Sequence, residues 1–197
     1  MKLFSYYHTL QTKDGIYGEL RGRFGTLDSK FNISDRKTQI NTNFKTKVYG
    51  VGSEIGKKYG ITEKVLFIPQ VQLDFTHIEG GEMENNISGK TDISSIKSLI
   101  GRTGARVAYK SGKVELFTDL NLNHEFVAQQ KLTTKDSTTS SNGYVQRGDY
   151  RGTWTSVGVG TKINLTENAN LYINYEQSFG DKNKNTSQVN ATFRLKF

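Results

Sequence analysis

The residues most able to do chemistry in this chain of 197 residues are three histidines, His8, His77 and His124, and a scatter of carboxylates. A hydrolytic site needs a nucleophile, a base and an orienting acid within mutual reach, and Asp74, Asp119 and His77 are the suggestive candidates for one. In an extended strand alternate residues face opposite sides, so His77 points away from Asp74. The histidines have no metal-ligand spacing, and the neighbours His124 and Glu125 also point to opposite faces, so no metal site is expected. The sequence has no Gly-x-x-x-x-Gly-Lys phosphate loop and no His-Glu-x-x-His pair. With no Cys, disulfides, thiolate catalysis and Cys-ligated metals drop out as well. The expectation is a protein without catalysis and without a cofactor.

The other polar residues fall into a pattern that belongs to strands. Glu19, Arg21, Arg23, Gln70, Gln72, Asp74, Arg102, Arg106, Glu125 and Glu176 fall on the polar alternation of their strands, as one wall of a sheet would place them. Composition agrees: one Pro, 20 Gly, 10 Tyr and 11 Phe fit Gly-rich aromatic strands better than helices, so the fold class is all-β. No Pro-rich or Ser/Gly-rich linker divides the chain, and it reads as one domain over 1–197. Mean hydropathy is −0.60. Apolar runs such as Val65-Leu66-Phe67-Ile68 fall far short of the roughly 18 residues a membrane-spanning helix needs. A transmembrane barrel strand needs only about 9–11 residues and shows every second one to lipid, so a barrel stays open. The net charge of +8 comes from Lys and Arg scattered over loops and alternate strand positions, with no dense basic run, which argues against nucleic acid as a partner.

Nine strands are predicted. Ile16–Leu27 sets Ile16, Gly18, Leu20, Gly22 and Phe24 against Glu19, Arg21 and Arg23. Val48–Tyr59 sets Tyr49, Val51, Ser53 and Ile55 against Gly50, Gly52, Glu54 and Gly56, and the next strand sets Phe67, Pro69, Val71, Leu73 and Phe75 against Gln70, Gln72, Asp74 and Thr76. Ser98–Tyr109, Val114–Glu125, Trp154–Leu165, Leu171–Phe179 and Val189–Phe197 follow, with Leu3–Leu10 at the start. The final strand puts Val189, Ala191, Phe193, Leu195 and Phe197 on one side, apolar to the terminal residue, where chain ends are usually polar and frayed.

The connections alternate in length. Short turns lie around Gln11–Gly15, Lys58–Lys64, Lys110–Lys113 and Thr166–Asn168, whereas long polar loops are predicted over 28–43, 79–97, 126–152 and 180–187. Outer-membrane barrels have short periplasmic turns and long external loops, whereas a soluble sandwich has no reason to sort its loops by parity. The expectation is an antiparallel up-and-down transmembrane barrel with its C-terminus periplasmic and 129–142 outside the cell. Single-chain bacterial barrels close with an even number of strands. The odd count, and a start that lacks the apolar core of a secretory signal, predict that the chain is an N-terminally incomplete piece of its parent.

These strands carry an ordered series of motifs. Leu3-Phe4-Ser5-Tyr6-Tyr7 stands with Asp14-Gly15-Ile16-Tyr17, then come Arg23-Phe24-Gly25-Thr26-Leu27-Asp28, Tyr49-Gly50-Val51-Gly52-Ser53-Glu54-Ile55-Gly56 and Pro69-Gln70-Val71-Gln72-Leu73. Ser98-Leu99-Ile100-Gly101-Arg102-Thr103-Gly104, His124-Glu125-Phe126 and Phe179-Gly180 lead to the terminal strand. In this order they resemble the C-terminal part of the autotransporter β-barrel, the translocator of type V secretion in Gram-negative bacteria. Each motif alone is weak, and the series covers essentially the whole chain.

The resemblance implies a twelve-stranded barrel of which these are the last nine, with three strands, a lumen-spanning helix and a secreted passenger upstream. It implies an outer-membrane protein that exports and anchors that passenger, with outer-membrane lipid and the barrel-assembly machinery as partners. Val189, Ala191, Phe193, Leu195 and Phe197 resemble the terminal signal which that machinery recognises, the plainer reading being a lipid-facing strand that ends there. The charged and amide residues named above would line the lumen, either hydrating a transport path or forming an ion-pair network that only holds the wall together. Tyr7, Tyr49, Tyr59, Phe75, Tyr109, Tyr175 and Phe179 fall where interfacial girdles belong. A small independent barrel acting as adhesin or structural protein is the alternative, and an outer-membrane hydrolase the remote one.

Overall fold

The alternation that runs through the sequence builds strands and no helix among the described residues, which in this computed structural model are 2–35, 38–84, 89–136, 144–180 and 185–195. In chain order the strands are β1 (Lys2–Gln11), β2 (Ile16–Asp35), β3 (Thr38–Lys57), β4 (Tyr59–Gly60), β5 (Val65–Ile78), β6 (Gly81–Glu84) and β7 (Gly89–Ile93). They continue with β8 (Ile96–Ser111), β9 (Val114–Glu125), β10 (Gln129–Asp136), β11 (Tyr144–Asp149), β12 (Gly152–Asn164), β13 (Ala169–Gly180) and β14 (Ser187–Leu195).

Nine of them form one antiparallel path, β1-β2-β3-β5-β8-β9-β12-β13-β14, with the two-residue β4 attached to β5. Each long strand pairs with its neighbour along the path, so β1 and β14 run in the same direction at the two open edges. The sheet is strongly curled. The Arg194 guanidinium on β14 lies 5.3 Å from the Tyr7 ring centre on β1, and Thr9, Gln11 and Arg194 line one cavity together.

The short-turn end is stitched by local chemistry. Gly15 (φ 83°) and Gly112 (φ 57°) take the left-handed backbone that lets β1–β2 and β8–β9 reverse within a few residues. In two other turns a threonine hydroxyl accepts backbone N–H groups: Thr62 from Lys64 and Val65, and Thr166 from Asn168 and Ala169, at 3.0–3.3 Å.

At the opposite end the expectation of long loops is corrected. β2 and β3 run on as one twenty-pair hairpin, so most of 28–43 is strand. The segments 79–97 and 126–152 contribute β6, β7, β10 and β11, which join in a second sheet of order β11-β10-β7-β6. Polar residues occupy both alternations of these segments in the sequence, so the period-two signal disappears although the ladder persists.

Burial is inverted relative to a soluble sheet. On β9, Leu120 is 60% exposed while its neighbour Asn121 is 2% exposed. Phe4, Leu20, Phe24, Val51, Val71, Val189 and Phe193 are exposed, whereas Gln70, Asp119, Asn121, Asn123, Glu125, Ser156 and Ser178 are buried.

Candidate functional site

The polar residues of the concave face meet in register, and they do so over glycines. Arg23 and Thr76 stand opposite Gly50, Arg21 and Asp74 opposite Gly52, and Tyr17 and Gln70 opposite Gly56, all on β3 between β2 and β5. Because β3 offers bare backbone at those points, side chains two strands apart touch. Arg23 Nη2 donates to Thr76 Oγ1 at 2.6 Å, Arg21 Nη2 reaches Asp74 Oδ2 at 3.4 Å, and the Tyr17 hydroxyl lies 3.1 Å from the Gln70 side-chain amide. A Cβ on Gly50, Gly52 or Gly56 would collide with Arg23, Asp74 or Tyr17 respectively. Glu54, the inward residue left on this stretch of β3, accepts from Tyr17 at 2.8 Å and from Arg102 Nη2 on β8 at 2.9 Å.

The same device recurs across β12. Phe117 on β9 stacks on Tyr172 of β13 with ring centres 5.2 Å apart, passing over Gly160, where a Cβ would strike the Phe117 ring. The guanidinium of Arg106 lies 4.1 Å above the Phe117 ring, pairs with both oxygens of Asp119 at 2.7 and 3.0 Å, and donates to the Tyr172 hydroxyl at 3.3 Å. Ile68, Ala108 and Phe117 are buried apolar residues within this largely polar wall.

All ten lumen residues expected from the sequence lie on the concave face. Glu19 sits 3.6 Å from Arg21 Nε, and the Gln72 amide donates to Asp74. Glu176 lines a cavity of about 400 Å³ with Arg21, Arg102, Asn123 and Trp154. Glu125 sits at the end of β9, where its carboxylate accepts from Ser98 and from the backbone N–H groups of Leu99, Val127 and Ala128. It ties the start of the β9–β10 connection to β8.

Sequence reasoning missed Tyr17, Glu54, Asn121, Asn123, Ser156 and Tyr172 as members of this wall. Strand parity could have found Tyr17, Asn121, Asn123 and Tyr172, each of which shares a face with a singled-out residue of its own strand, whereas Glu54 on β3 and Ser156 on β12 have no such neighbour. Asp119, singled out as a possible catalytic acid, is the partner of Arg106 here. His77 lies on the convex face, stacked on Tyr49 with centres 6.5 Å apart, away from Asp74 and Asp119.

The girdle expectation needs one correction. Tyr49, Tyr59, Phe75, Tyr109, Tyr175 and Phe179 are exposed on the convex face, but Tyr7 pairs with Arg21 and shares the concave face with Ser5 and Thr9. The outward residues of β1 are Phe4, Tyr6, His8 and Leu10, with Phe4 stacked on Phe24 at 5.3 Å. On β14, Val189, Phe193 and Leu195 are exposed on the convex face in one row with Ala191. Phe197 lies outside the described residues.

Beyond the main sheet, β11 ends on Asp149, whose carboxylate is gripped by Arg151 at 2.6–3.1 Å. The guanidinium holds that carboxyl well below the usual carboxylate range. No group of His, Cys, Asp and Glu able to hold a metal occurs among the described residues.

Residues 3–176 match the model of the autotransporter β-domain. The pertactin autotransporter of Bordetella parapertussis is 24% identical over 179 residues, covering 89% of this chain and 19% of the relative. The serine protease Pet autotransporter of Escherichia coli O44:H18 is 22% identical, covering 97% of this chain and 15% of the relative. The chain thus spans about a fifth or less of the curated relatives it matches. Among solved structures, the β domain of the Bordetella autotransporter BrkA superposes with a TM-score of 0.70 at 17% identity, over 97% of this chain and 71% of that one. The chain belongs to the autotransporter β-domain family, the translocator barrels of type V secretion.

Proposed function

We propose that this chain forms part of the outer-membrane wall of a translocator that exports a passenger polypeptide joined upstream and then anchors it. The observation that carries the reading is the inverted burial: apolar side chains outside, hydrogen-bonded polar ones inside. An exposed Leu, Val or Phe left in water forgoes about 1.5–3 kcal/mol of burial. A convex face made of such residues from β1 to β14 is stable only where lipid covers it. Translocator domains are not themselves catalytic, and the polar interior is paired within itself rather than arranged around a nucleophile.

In this reading the lumen lining hydrates the path of an extended chain, while its cross-strand pairs keep the wall from collapsing. Closing the nine-stranded path antiparallel throughout takes an odd number of further strands, since β1 and β14 run the same way. Those strands and the passenger belong to the parent chain. Val189, Ala191, Phe193 and Leu195 of the terminal strand, followed by Phe197 in the sequence, are the signal offered to the barrel-assembly machinery.

An antibody to residues 129–142, used on intact cells and on outer-membrane blots with and without boiling, tests this. The expected result is surface labelling and a heat-shifting band much heavier than the 22.2 kDa of this chain. A heat-shifting band at 22.2 kDa overturns the translocator reading in favour of a small independent barrel.

A further inference from the structure

The β10–β11 hairpin stands on two short legs at the rim of the wall: 126–128, between β9 and β10, and 150–151, between β11 and β12. Its ladder runs from Gln129 opposite Asp149 to Thr134 opposite Tyr144. Six residues of strand span about 20 Å. The legs leave the wall at the edge of the apolar band, where the outward row of β9 passes from Leu120 and Leu122 to His124, whose Nδ1 lies 2.7 Å from the Thr153 hydroxyl of β12. A hairpin of that length, on legs that lie outside any strand, swings unless its base is tied.

One side chain organises the first leg. Glu125 is 3% exposed at the last position of β9, and it stands opposite Gly152 of β12, which brings no Cβ against it. Its Oε2 accepts from the Ser98 hydroxyl of β8, and its Oε1 accepts from the N–H groups of Leu99 at 2.9 Å, Val127 at 3.1 Å and Ala128 at 3.2 Å. One carboxylate therefore binds β8 and the leg together. The Phe126 N–H donates to the Leu99 carbonyl at 2.9 Å, and its ring lies over Gly101, edge-on to His124 with centres 4.5 Å apart. The carbonyl of buried Ala128 accepts from the Tyr150 N–H at 2.9 Å, which ties the second leg to the first. Farther up, Ser94 and Lys131 exchange two bonds of 2.9 Å, which hold β10 to the link between β7 and β8.

Glu125 is also the last concave residue of β9, after Asp119, Asn121 and Asn123, so a chain leaving the lumen along this wall passes it and then the hairpin. Bonds to an ionised carboxylate are about twice as strong as neutral ones, which makes this side chain the main tie of the leg to β8. We propose that Glu125 is the positioning residue of the exit: its carboxylate holds the β10–β11 hairpin in one place at the rim of the lumen, and export of the passenger depends on that hold. Without the carboxylate the leg loses its bond to β8, and the hairpin pivots into the path of the emerging chain. This role rests on the translocator reading and on the orientation proposed above, in which the long-strand end faces the cell exterior.

The test follows the full parent chain in its own cells. Trypsin added to intact cells cuts after the exposed Lys131 and Arg147 and reads how firmly the hairpin is held. Antibody reads passenger at the surface, and heat-modifiable mobility reads barrel assembly. Glu125→Ala is expected to speed that cleavage and to lower surface passenger by about tenfold each, and Glu125→Gln, which keeps the size but loses the charge, by about threefold, with assembly unchanged. Glu167→Gln, in the short turn between β12 and β13, changes none of the three. Ile93→Cys with Leu132→Cys, opposite each other on β7 and β10, can join the hairpin to β7 by a disulfide, since these 197 residues contain no Cys of their own. In the Glu125→Ala background that disulfide restores export, and a reductant abolishes the rescue. Unchanged cleavage, faster cleavage with full export, an export loss that the disulfide does not mend, or loss of assembly in both Glu125 variants each overturns the role. Wild-type cells keep the two readings apart: no passenger at their surface removes the translocator, whereas wild-type export unaffected by Glu125→Ala removes the positioning role alone.

Discussion

Arg21 and Asp74 stand on strands that do not pair, yet their side chains meet at 3.4 Å across the bare backbone of Gly52. The relationship explains why an inward-facing stretch of β3 reads Gly50, Gly52, Glu54, Gly56. Three glycines let β2 and β5 hold hands over β3, and the one long side chain, Glu54, reaches on to Arg102.

The glycines should therefore not be equivalent to substitution. Gly104 on β8 lies on the concave face against the backbone carbonyl of Leu120 and the Cα of Asn121, neither of which can move without breaking the β8–β9 ladder. Gly104→Ala is expected to destabilise by about 1–3 kcal/mol through overpacking. Gly22 on β2 faces outward with nothing within 4 Å, and Gly22→Ala should be neutral or stabilising by about 0.5–1 kcal/mol, as Gly costs backbone entropy in a strand. Gly52→Ala meets only the flexible ends of Asp74 and Arg21 and should fall between them. Urea midpoints of the heat-modifiable form in detergent rank the three, and an equal loss at Gly22 and Gly104 would contradict the account.

The Arg106–Asp119 pair should behave as a coupled unit. The side chains are 27% and 8% exposed, so removing Asp119 leaves a cation poorly solvated beside the Phe117 ring. Breaking a fully buried pair costs about 3–5 kcal/mol, and partial exposure of Arg106 reduces this to about 2 kcal/mol for Asp119→Ala. Adding Arg106→Met removes the orphaned charge and should recover more than half of the loss. A double-mutant cycle by urea unfolding checks this, and simple additivity would mean that the two groups do not interact.

Most of the main sheet was legible because one of its faces is apolar in sequence. On β5 the alternation of Phe67, Val71, Leu73 and Phe75 with Gln70, Gln72 and Asp74 assigns each residue to the side it occupies. Legibility failed in two places for two reasons. In the outer parts of β2 and β3 and in β6, β7, β10 and β11 the sequence is largely polar on both alternations, so it reads as loop where the chain forms ladders. In the lumen, attention to charge passed over the neutral members: Asn123 and Ser156 share a hydrogen bond of 3.4 Å, and Tyr17 bridges three strands, but neither amides nor phenols stand out in composition. Tyr7 was misplaced because an aromatic near a strand end suits a girdle and a lumen equally well until its register with Arg21 is known.

If the terminal strand serves assembly as well as architecture, deleting Phe197 should act on yield rather than on the folded state. Loss of one terminal aromatic removes about 2 kcal/mol of apolar burial at most, too little to unfold a barrel. The expected outcome is a several-fold drop in heat-modifiable protein in the outer membrane, with an unchanged urea midpoint for the molecules that do assemble. A proportional fall in both would reduce Phe197 to a lipid-facing residue of the last strand.

The most direct test of the lipid face is Leu120→Arg. Leu120 is 60% exposed near the middle of β9, between the outward residues Thr118 and Leu122. In water, a charge at such an exposed strand position changes stability by no more than about 0.5 kcal/mol. In a bilayer, an arginine near the midplane of a barrel costs about 2–4 kcal/mol. Its depth-matched control is Thr153→Arg, at the edge of the band on β12, where the cost should fall to about 0–1 kcal/mol. Unfolding of both variants in phospholipid vesicles should show this gradient with depth. Equal and small effects at the two positions would mean that lipid does not cover this face, and the translocator wall would have to be abandoned.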